Sequence, residues 1–526
     1  MKKTLTGIVL MLLLSSGWAC TRSEDKPGGG SGGGGGDTPS TDVPDRDGCL
    51  VKGMVFGDGK PLPGVVVSDG RNVTATDSQG KYWLETTSGE DFVWVSVPSG
   101  YEVPVKNGWE PQFYRELDLT KLDRHEVQRF DFQLTSRPND DFELMVFTDT
   151  HVRGVKPDQG PNTLIDSLLF LRNFIPSVKS WSQQNAGRPR YGIVLGDMIQ
   201  DWAVPKHGGL PEYKRALKGL DFPIFHIPGN HDYNGEYELV VQTDIEARPA
   251  KAYYRRWLGP TYYSLNIGKV HFVMLDGTQI LGGGINQYKE HVTPRQIAWM
   301  QQDLAEVGPD MTLVICCHES LYRYDSKLGS CINNTAEVMS LTDAFPEVTI
   351  LSGHWHVSDI CHKTRGTQKI AQYIHTGVCG AFWRGPVCPD GAGSGYTSYS
   401  FRGKTFTRFQ KAYDSTYDKQ AIFYDTETDA TSGKRILLVN VPAFEDGWTL
   451  KITENGVVKA QAVRQLDYDP GYINNFYTQY NYPQSTMTYQ KTSHMFRYEP
   501  VSETATFVMT VTTPEGRFYT KTTKFK

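Results

Sequence analysis

Six short apolar runs, FELMVF, YGIVL, FPIFHI, HFVML, TLVICC and VTIL, recur between residues 138 and 400. They are of strand length and rich in branched and aromatic residues. Between them, NTLIDSLLFLRNFIPSV and TPRQIAWMQQDLAEV carry helical spacing, the second with Thr293 as N-cap and Pro294 at the first helical position. Strands alternating with helices leave few folds open, and the region is expected to form an α/β or mixed sheet with helices on its faces.

Five of these runs end in polar clusters. MVFTDTH offers Asp149 and His151, IVLGDMIQD offers Asp197, FHIPGNHD offers Asn230, His231 and Asp232, VICCHES offers His318, and TILSGHWH offers His354 and His356. In open sheets, sites collect outside the carboxyl ends of strands, so the five clusters are expected to converge. Asp149 and His151, like His354 and His356, are two residues apart; in an extended segment both members point to one side. The glycine before Asp197, Asn230 and His354 lets the backbone turn and approach a bound ion. A lone Asp-x-His is common, and His318 by itself reads as a hydrogen-bonded core histidine; in an ordered series, each after a strand, they read as one site. The other histidines, among them His207, His226, His362 and His375, read as structural.

The order D-x-H, G-D, G-N-H-D, a lone H and G-H-x-H over about 149–356 resembles the calcineurin-like metallophosphoesterase family, in a bacterial lipoprotein subgroup with extra β-domains at each end. The resemblance implies a four-layer α/β sandwich, two mixed β-sheets flanked by helices, as a catalytic domain over 138–410, with all-β sandwich domains at both ends. It implies one metal held by Asp149, His151, Asp197 and His356, and a second by Asp197, Asn230, His318 and His354, with Asp197 as the bridge. Carboxylate, amide oxygen and imidazole suit Mn, Fe or Zn, so two divalent ions are the expected cofactors. Two such ions ~3.5–4 Å apart create hydroxide from a bridging water at neutral pH and neutralise charge on a phosphate oxygen, but they supply no proton for the leaving alkoxide. His231, adjacent to Asn230 and outside the ligand set, is the candidate general acid or transition-state donor. Asp232 either orients His231 or stabilises the turn. In IHTGVCGAFWRGPVCPDGAGSGYTSY, Trp383, Arg384 and Tyr396 are candidates for holding substrate: Arg384 to grip a phosphate or carboxylate, Trp383 to cover a sugar or headgroup or else to pack against the C-terminal domain.

The ends of the chain carry other signals. Residues 1–20 read as an export signal, with Lys2, Lys3, an apolar run too short to span a membrane and Ala19-Cys20 at its end, resembling a lipoprotein signal with Cys20 as the lipidated residue. A Gly-rich linker follows over 21–45. An exported lipoprotein of the outer membrane, on either face, is therefore expected, in contact with membrane through the lipid anchor only. Residues 46–137 and 411–526, rich in Val, Thr and turn residues, read as β-sandwiches, the first with a spacer or binding role. Cys379 and Cys388 form the best local disulfide candidate, whereas Cys316 and Cys317 read as small buried hydrophobes. With 39% apolar and 21% charged residues the chain is globular, and a net charge of −5 without a long basic run gives no nucleic-acid footprint. The expected function is hydrolysis of phosphate mono- or diesters, the substrate being a phosphorylated small molecule, glycan or lipid headgroup. Nucleotide or pyrophosphate hydrolysis, and surface glycan binding by the β-domains, are the rivals.

Overall fold

Alternation along a single strand sets the layering of the central region. In β1 (Asp141–Phe147), Phe142, Leu144 and Val146 belong to one apolar core, Met145 and Phe147 to another. Successive side chains of a strand point to opposite faces, so β1 has packed layers on both sides. The structure is a computed structural model that describes residues 41–152, 168–200, 209–233, 248–281, 287–383, 385–429, 431–459, 462–478 and 489–525.

Ten more strands complete the two large sheets of this region: β2 (Arg190–Leu195), β3 (Ile224–Ile227), β4 (Tyr263–Ile267), β5 (Val270–Leu275), β6 (Thr312–Cys317), β7 (Glu347–Ser352), β8 (Asp359–Arg365), β9 (Gln368–Ile374), β10 (Gly395–Arg402) and β11 (Thr405–Ala412). The first sheet has the order β3-β2-β1-β10-β11, its first three strands parallel and the last two antiparallel. The second has the order β4-β5-β6-β7-β9-β8, with β5, β6, β7 and β9 parallel and an antiparallel strand at each edge. Phe142 reaches between the sheets, stacked on Phe401 of β10 at 4.5 Å and meeting Phe272 of β5 at 6.4 Å. Helices α1 (Ile175–Gln184), α2 (Leu210–Ala216) and α3 (Arg248–Leu258) cover the outer face of the first sheet with Val178, Trp181, Tyr213 and Tyr254. Helices α4 (Pro294–Ala305) and α5 (Thr335–Ser340) bring Trp299, Met300, Val338 and Met339 to the second. Thr293 does occupy the cap position of α4, but its hydroxyl makes no capping bond and instead accepts from Gln296 Nε2 at 3.3 Å.

The N-terminal residues fold into two sheets built around Val51–Gly57 and Phe92–Val95. This module is no loose spacer. Its Val67, Trp94 and Val95 share one continuous apolar core with Tyr263, Leu265 and Trp299 of the central region, Val97 pairs with Leu265 of β4, and Trp299 Nε1 donates to Ser68 Oγ at 3.2 Å. The C-terminal residues form two four-stranded antiparallel sheets around Leu437, Val439, Ile452 and Phe507. β10 and β11 remain in the first central sheet through Ala412. Of the described part of the Tyr-rich segment, Tyr472 is buried and stacks on Phe476.

All the described cysteines are free thiols, so Cys379 and Cys388, the best local candidate pair, are not bonded to each other. Cys379 Sγ faces His356 Nδ1 at 3.4 Å, whereas Cys388 Sγ faces Ser394 Oγ. Cys316 and Cys317 are buried on β6. No helix among the described residues is long and apolar enough to cross a membrane. Cys20 and the rest of the leader lie outside the described residues, as does Arg384.

Candidate metal centre

The loops that leave the carboxyl ends of the two sheets are tied to one another by backbone. Asp149 N–H donates to Gly196 O at 3.0 Å, His151 N–H to Asp197 O at 3.0 Å, and Gly353 N–H to His318 O at 2.9 Å. β1 ends at Phe147 and β7 at Ser352, so the pairs Asp149/His151 and His354/His356 lie beyond the strands. Strand alternation is therefore not what aligns them, contrary to the expectation from spacing. Asp149, His151, Asp197, His354 and His356 all have left-handed backbone, with φ of 53, 40, 52, 72 and 54°. For residues with a Cβ such a conformation costs about 1–3 kcal/mol, and such strain gathers at functional sites. The loops also approach too closely for side chains at two glycines. A Cβ on Gly196, at φ +92°, would come within 2.6 Å of Gly229 N and 2.7 Å of His318 Nδ1, and one on Gly229 would collide with the Asp197 carboxylate.

Seven side chains converge here. His151 Nε2 and His356 Nε2 are 3.0 Å apart, Asp149 Oδ1 is 3.1 Å from His356 Nε2 and 3.6 Å from His151 Nε2, and Asp197 Oδ2 is 3.6 Å from His151 Nε2. The same Asp197 Oδ2 lies 3.2 Å from His318 Nε2. His354 Nδ1 is 3.3 Å from His318 Nε2 and 3.0 Å from Asn230 Oδ1. The distances thus sort the donors into two groups that share one carboxylate oxygen. The outward atoms are held in place: Asp149 Oδ2 accepts from His354 N–H at 3.0 Å, Asp197 Oδ1 from His231 N–H at 2.8 Å, His318 Nδ1 donates to Leu195 O at 2.6 Å and His356 Nδ1 to Gly380 O at 2.7 Å. These bonds hold Nδ1 as a donor and turn Nε2 of His318 and His356 inward, where each must give up its proton to bind an ion. Burial drives His151 down to about 4 and His354 to about 3, so both rings are neutral at pH 7. Burial also lowers His318, but the Asp197 charge outweighs it and lifts the group to about 10.

The remaining sequence candidates separate. His231 is half-buried beside the cluster, its ring edge-on to His151 at 4.8 Å and its Nδ1 donating to Gln200 O at 3.0 Å. Asp232 does not orient it: its carboxylate accepts from Gly229 N–H at 2.8 Å and Ile199 N–H at 3.2 Å, which makes it the residue that holds the turn. Trp383 is buried, and its Nε1 donates to Thr150 O at 2.9 Å, so it braces the loop between Asp149 and His151 from behind instead of covering a substrate. Tyr396 lies on β10 against Phe174, in the core rather than in a loop at the site. His375 bridges Ser352 O and the Tyr399 hydroxyl, a structural role. The ring that does stand at the site is Phe382, one position before Trp383: it meets His151 at 4.9 Å and His356 at 5.1 Å. On the other flank, Tyr288 faces His354 at 6.5 Å and Glu290 Oε1 lies 3.8 Å from His354 Nε2. Phe382, Tyr288 and Glu290 follow no strand-end motif, and only the aromatic character of AFW hinted at the first.

Family descriptions match three consecutive parts of the chain: the N terminal of calcineurin-like phosphoesterase over 50–137, calcineurin-like phosphoesterase over 142–358, and the C terminal of calcineurin-like phosphoesterase over 372–519. The chain belongs to the calcineurin-like phosphoesterase family. It is a metal-dependent phosphoester hydrolase with the four-layer core of that family and a β-rich domain at each end. Solved structures similar to this calcineurin-like phosphoesterase include a dimetal phosphatase from Danio rerio (13% identity, 52% of this chain and 96% of the other, TM-score 0.36). Another is a purple acid phosphatase from seeds of yellow lupin, Lupinus luteus (10% identity, 72% of each chain, TM-score 0.34). At these scores the fold likeness adds no argument. No protein of curated function matches.

A pair of divalent ions, which the family implies, fits the donors of this calcineurin-like phosphoesterase. Asp149 Oδ1 is buried and accepts no hydrogen bond, although two ring nitrogens stand within 3.6 Å of it. Two imidazoles and a carboxylate turned toward one buried point need positive charge between them, which the proton that Asp149 helps to hold on His356 supplies and a metal ion would replace. Asp149, His151, Asp197 and His356 would hold one ion, and Asp197, Asn230, His318 and His354 the other.

Proposed function

We propose that this phosphoesterase is exported, tethered to the outer membrane through Cys20, and hydrolyses phosphate mono- or diesters with His231 as proton donor to the leaving group. Its substrates are phosphorylated small molecules, glycans or lipid headgroups, and its ions are Mn, Fe or Zn. The leader sequence and the Gly-rich linker support the location. One observation carries the chemistry: the His231 ring lies against the metal-ligating group, while among the described residues its own side chain is hydrogen-bonded only to a carbonyl, that of Gln200.

Bound ions supply positive charge against the phosphoryl oxygens and a nucleophile at neutral pH. The chain supplies the rest. His231 N–H on Asp197 Oδ1 and His231 Nδ1–H on Gln200 O fix the ring, leaving Nε2 to meet the ester oxygen. When the P–O bond breaks, its electron pair goes to the alkoxide, which takes the proton from Nε2; the neutral imidazole is then reprotonated from solvent.

The test is metal analysis with turnover of mono- and bis-nitrophenyl phosphate and of alkyl esters, for wild type, Asp197→Asn and His231→Ala. Asp197→Asn is expected to lose metal and activity together, and His231→Ala to keep its metals while losing roughly 10²–10⁴-fold in turnover of alkyl esters. Metal loss from the His231 variant, or unchanged turnover of alkyl esters, would overturn this division of roles. Labelling with a radioactive fatty acid in cells, abolished by Cys20→Ala, tests the anchor.

A further inference from the structure

Phe382 has two properties that a residue present only for packing does not need. It stands at φ +51°, and its neighbour Trp383 at φ +61°, so two consecutive aromatic residues are held in the left-handed region. The conformation is imposed from behind, where Trp383 N–H bonds Cys379 O at 2.6 Å, Trp383 Nε1 bonds Thr150 O, and Cys379 N–H bonds Asp149 O at 3.0 Å. The result is that Trp383 goes inward and Phe382 outward. Phe382 is half-buried, whereas His151 and His356, which its ring touches at 4.9 and 5.1 Å, are 1% exposed. On the first metal group, the side toward solvent therefore carries an apolar ring seated on two ligands.

The ligands beneath Phe382 are closed to solvent, so a leaving group that projects from the first metal group toward solvent would pass this ring. His231 and Phe382 are both half-buried, and each meets the His151 ring, at 4.8 and 4.9 Å. Resting on the phosphoester hydrolysis set out above, we propose that Phe382 is a specificity-determining wall on which the leaving group stacks, and that the enzyme prefers phosphate esters whose leaving group is a ring with a flat apolar face, aryl or glycosyl. Ring-on-ring and ring-on-sugar packing of this kind discriminates against a leaving group that has no face to offer.

The metal-loaded protein, its Phe382→Ala variant and its Phe382→Leu variant are compared in two ways. Binding of phenylphosphonate and methylphosphonate is measured by calorimetry, and kcat and KM are measured on phenyl phosphate, glucose 1-phosphate and methyl phosphate. The wall predicts that wild type binds phenylphosphonate about ten-fold more tightly than methylphosphonate. It also predicts that Phe382→Ala abolishes this preference and raises KM for the ring esters with little change for methyl phosphate, metal content being unchanged. Phe382→Leu is expected to fall between. A preference for phenyl phosphate alone assigns the aryl class, one for glucose 1-phosphate the glycosyl class. Equal loss on all three esters, loss of metal from either variant, or a ratio of phosphonate affinities that Phe382→Ala leaves unchanged overturns the proposal. Should wild type hydrolyse none of the esters, phosphoester hydrolysis itself fails, while the phosphonate ratio still reports on the wall.

Discussion

Asp232 and His231 are neighbours in the chain that face opposite ways. The letters GNHD show that polar groups are crowded on one turn, and the order of motifs shows which of them meet metal in the family. They do not show direction, which depends on backbone torsions: Asp232 Oδ1 and Oδ2 go to two backbone N–H groups, and the His231 ring goes to the site. The same holds for the aromatic pair, where the letters leave Trp383 open between covering a substrate and packing, and the backbone turns Trp383 inward and Phe382 outward. Asp232→Asn tests the structural role. An amide has one acceptor oxygen and would point an N–H at an N–H, so the variant is expected to lose about 1–3 kcal/mol of stability, read as a lower melting temperature. Its turnover per bound metal is expected to stay far closer to wild type than that of His231→Ala.

Elements ending in polar clusters were legible because a strand followed by a glycine and a ligand type is a local pattern. What was not legible is long-range. β10 and β11 return to pair beside β1, with Asp141 opposite Arg402, and nothing in their own sequence names that partner. The segment between β9 and β10 is similar: it reads as a Gly-rich loop, yet Val378 and Cys379 N–H bond the carbonyls of Thr148 and Asp149, and Trp383 braces Thr150. This segment is the back wall of the first metal group. Trp383→Phe keeps an aromatic ring and removes the Nε1–H that donates to Thr150 O. Apparent metal affinity is expected to fall roughly 10–100-fold, measured by titration with a competing chelator, with melting of the metal-free protein shifted only slightly. A drop in melting temperature matched by unchanged metal affinity would show the bond to be merely structural.

Across the whole molecule, the N-terminal module and the catalytic core meet at buried polar groups as well as apolar ones. Trp109 lies edge-on to His226 at 5.7 Å, its carbonyl accepts from Ile224 N–H at 2.8 Å, and His226 Nε2 meets the Tyr213 hydroxyl at 3.0 Å. Burial, with Lys214 nearby, lowers His226 from 6.5 to about 3. Its folded pKa lies below its unfolded value, so the neutral ring's contribution is complete above pH 6.5 and is lost as pH falls from there toward 3. Urea unfolding at pH 7, 5.5 and 4.5 is expected to show stability falling, with up to about 1.4 kcal/mol per pH unit removed by His226→Gln. A pH slope unaltered by that substitution would refute the assignment. The site itself has a consequence for how the chain reaches this state. His151 and His356 are 205 positions apart, the first supplied by one sheet and the second by the other, yet their Nε2 atoms meet. No partial fold with a single finished sheet offers both halves of either donor group, so the complete donor set exists only once the sheets have docked. A strand slipped by one residue turns its side chains to the wrong face and sends its terminal loop elsewhere, so ions that bind only the finished arrangement select the correctly registered chain by mass action.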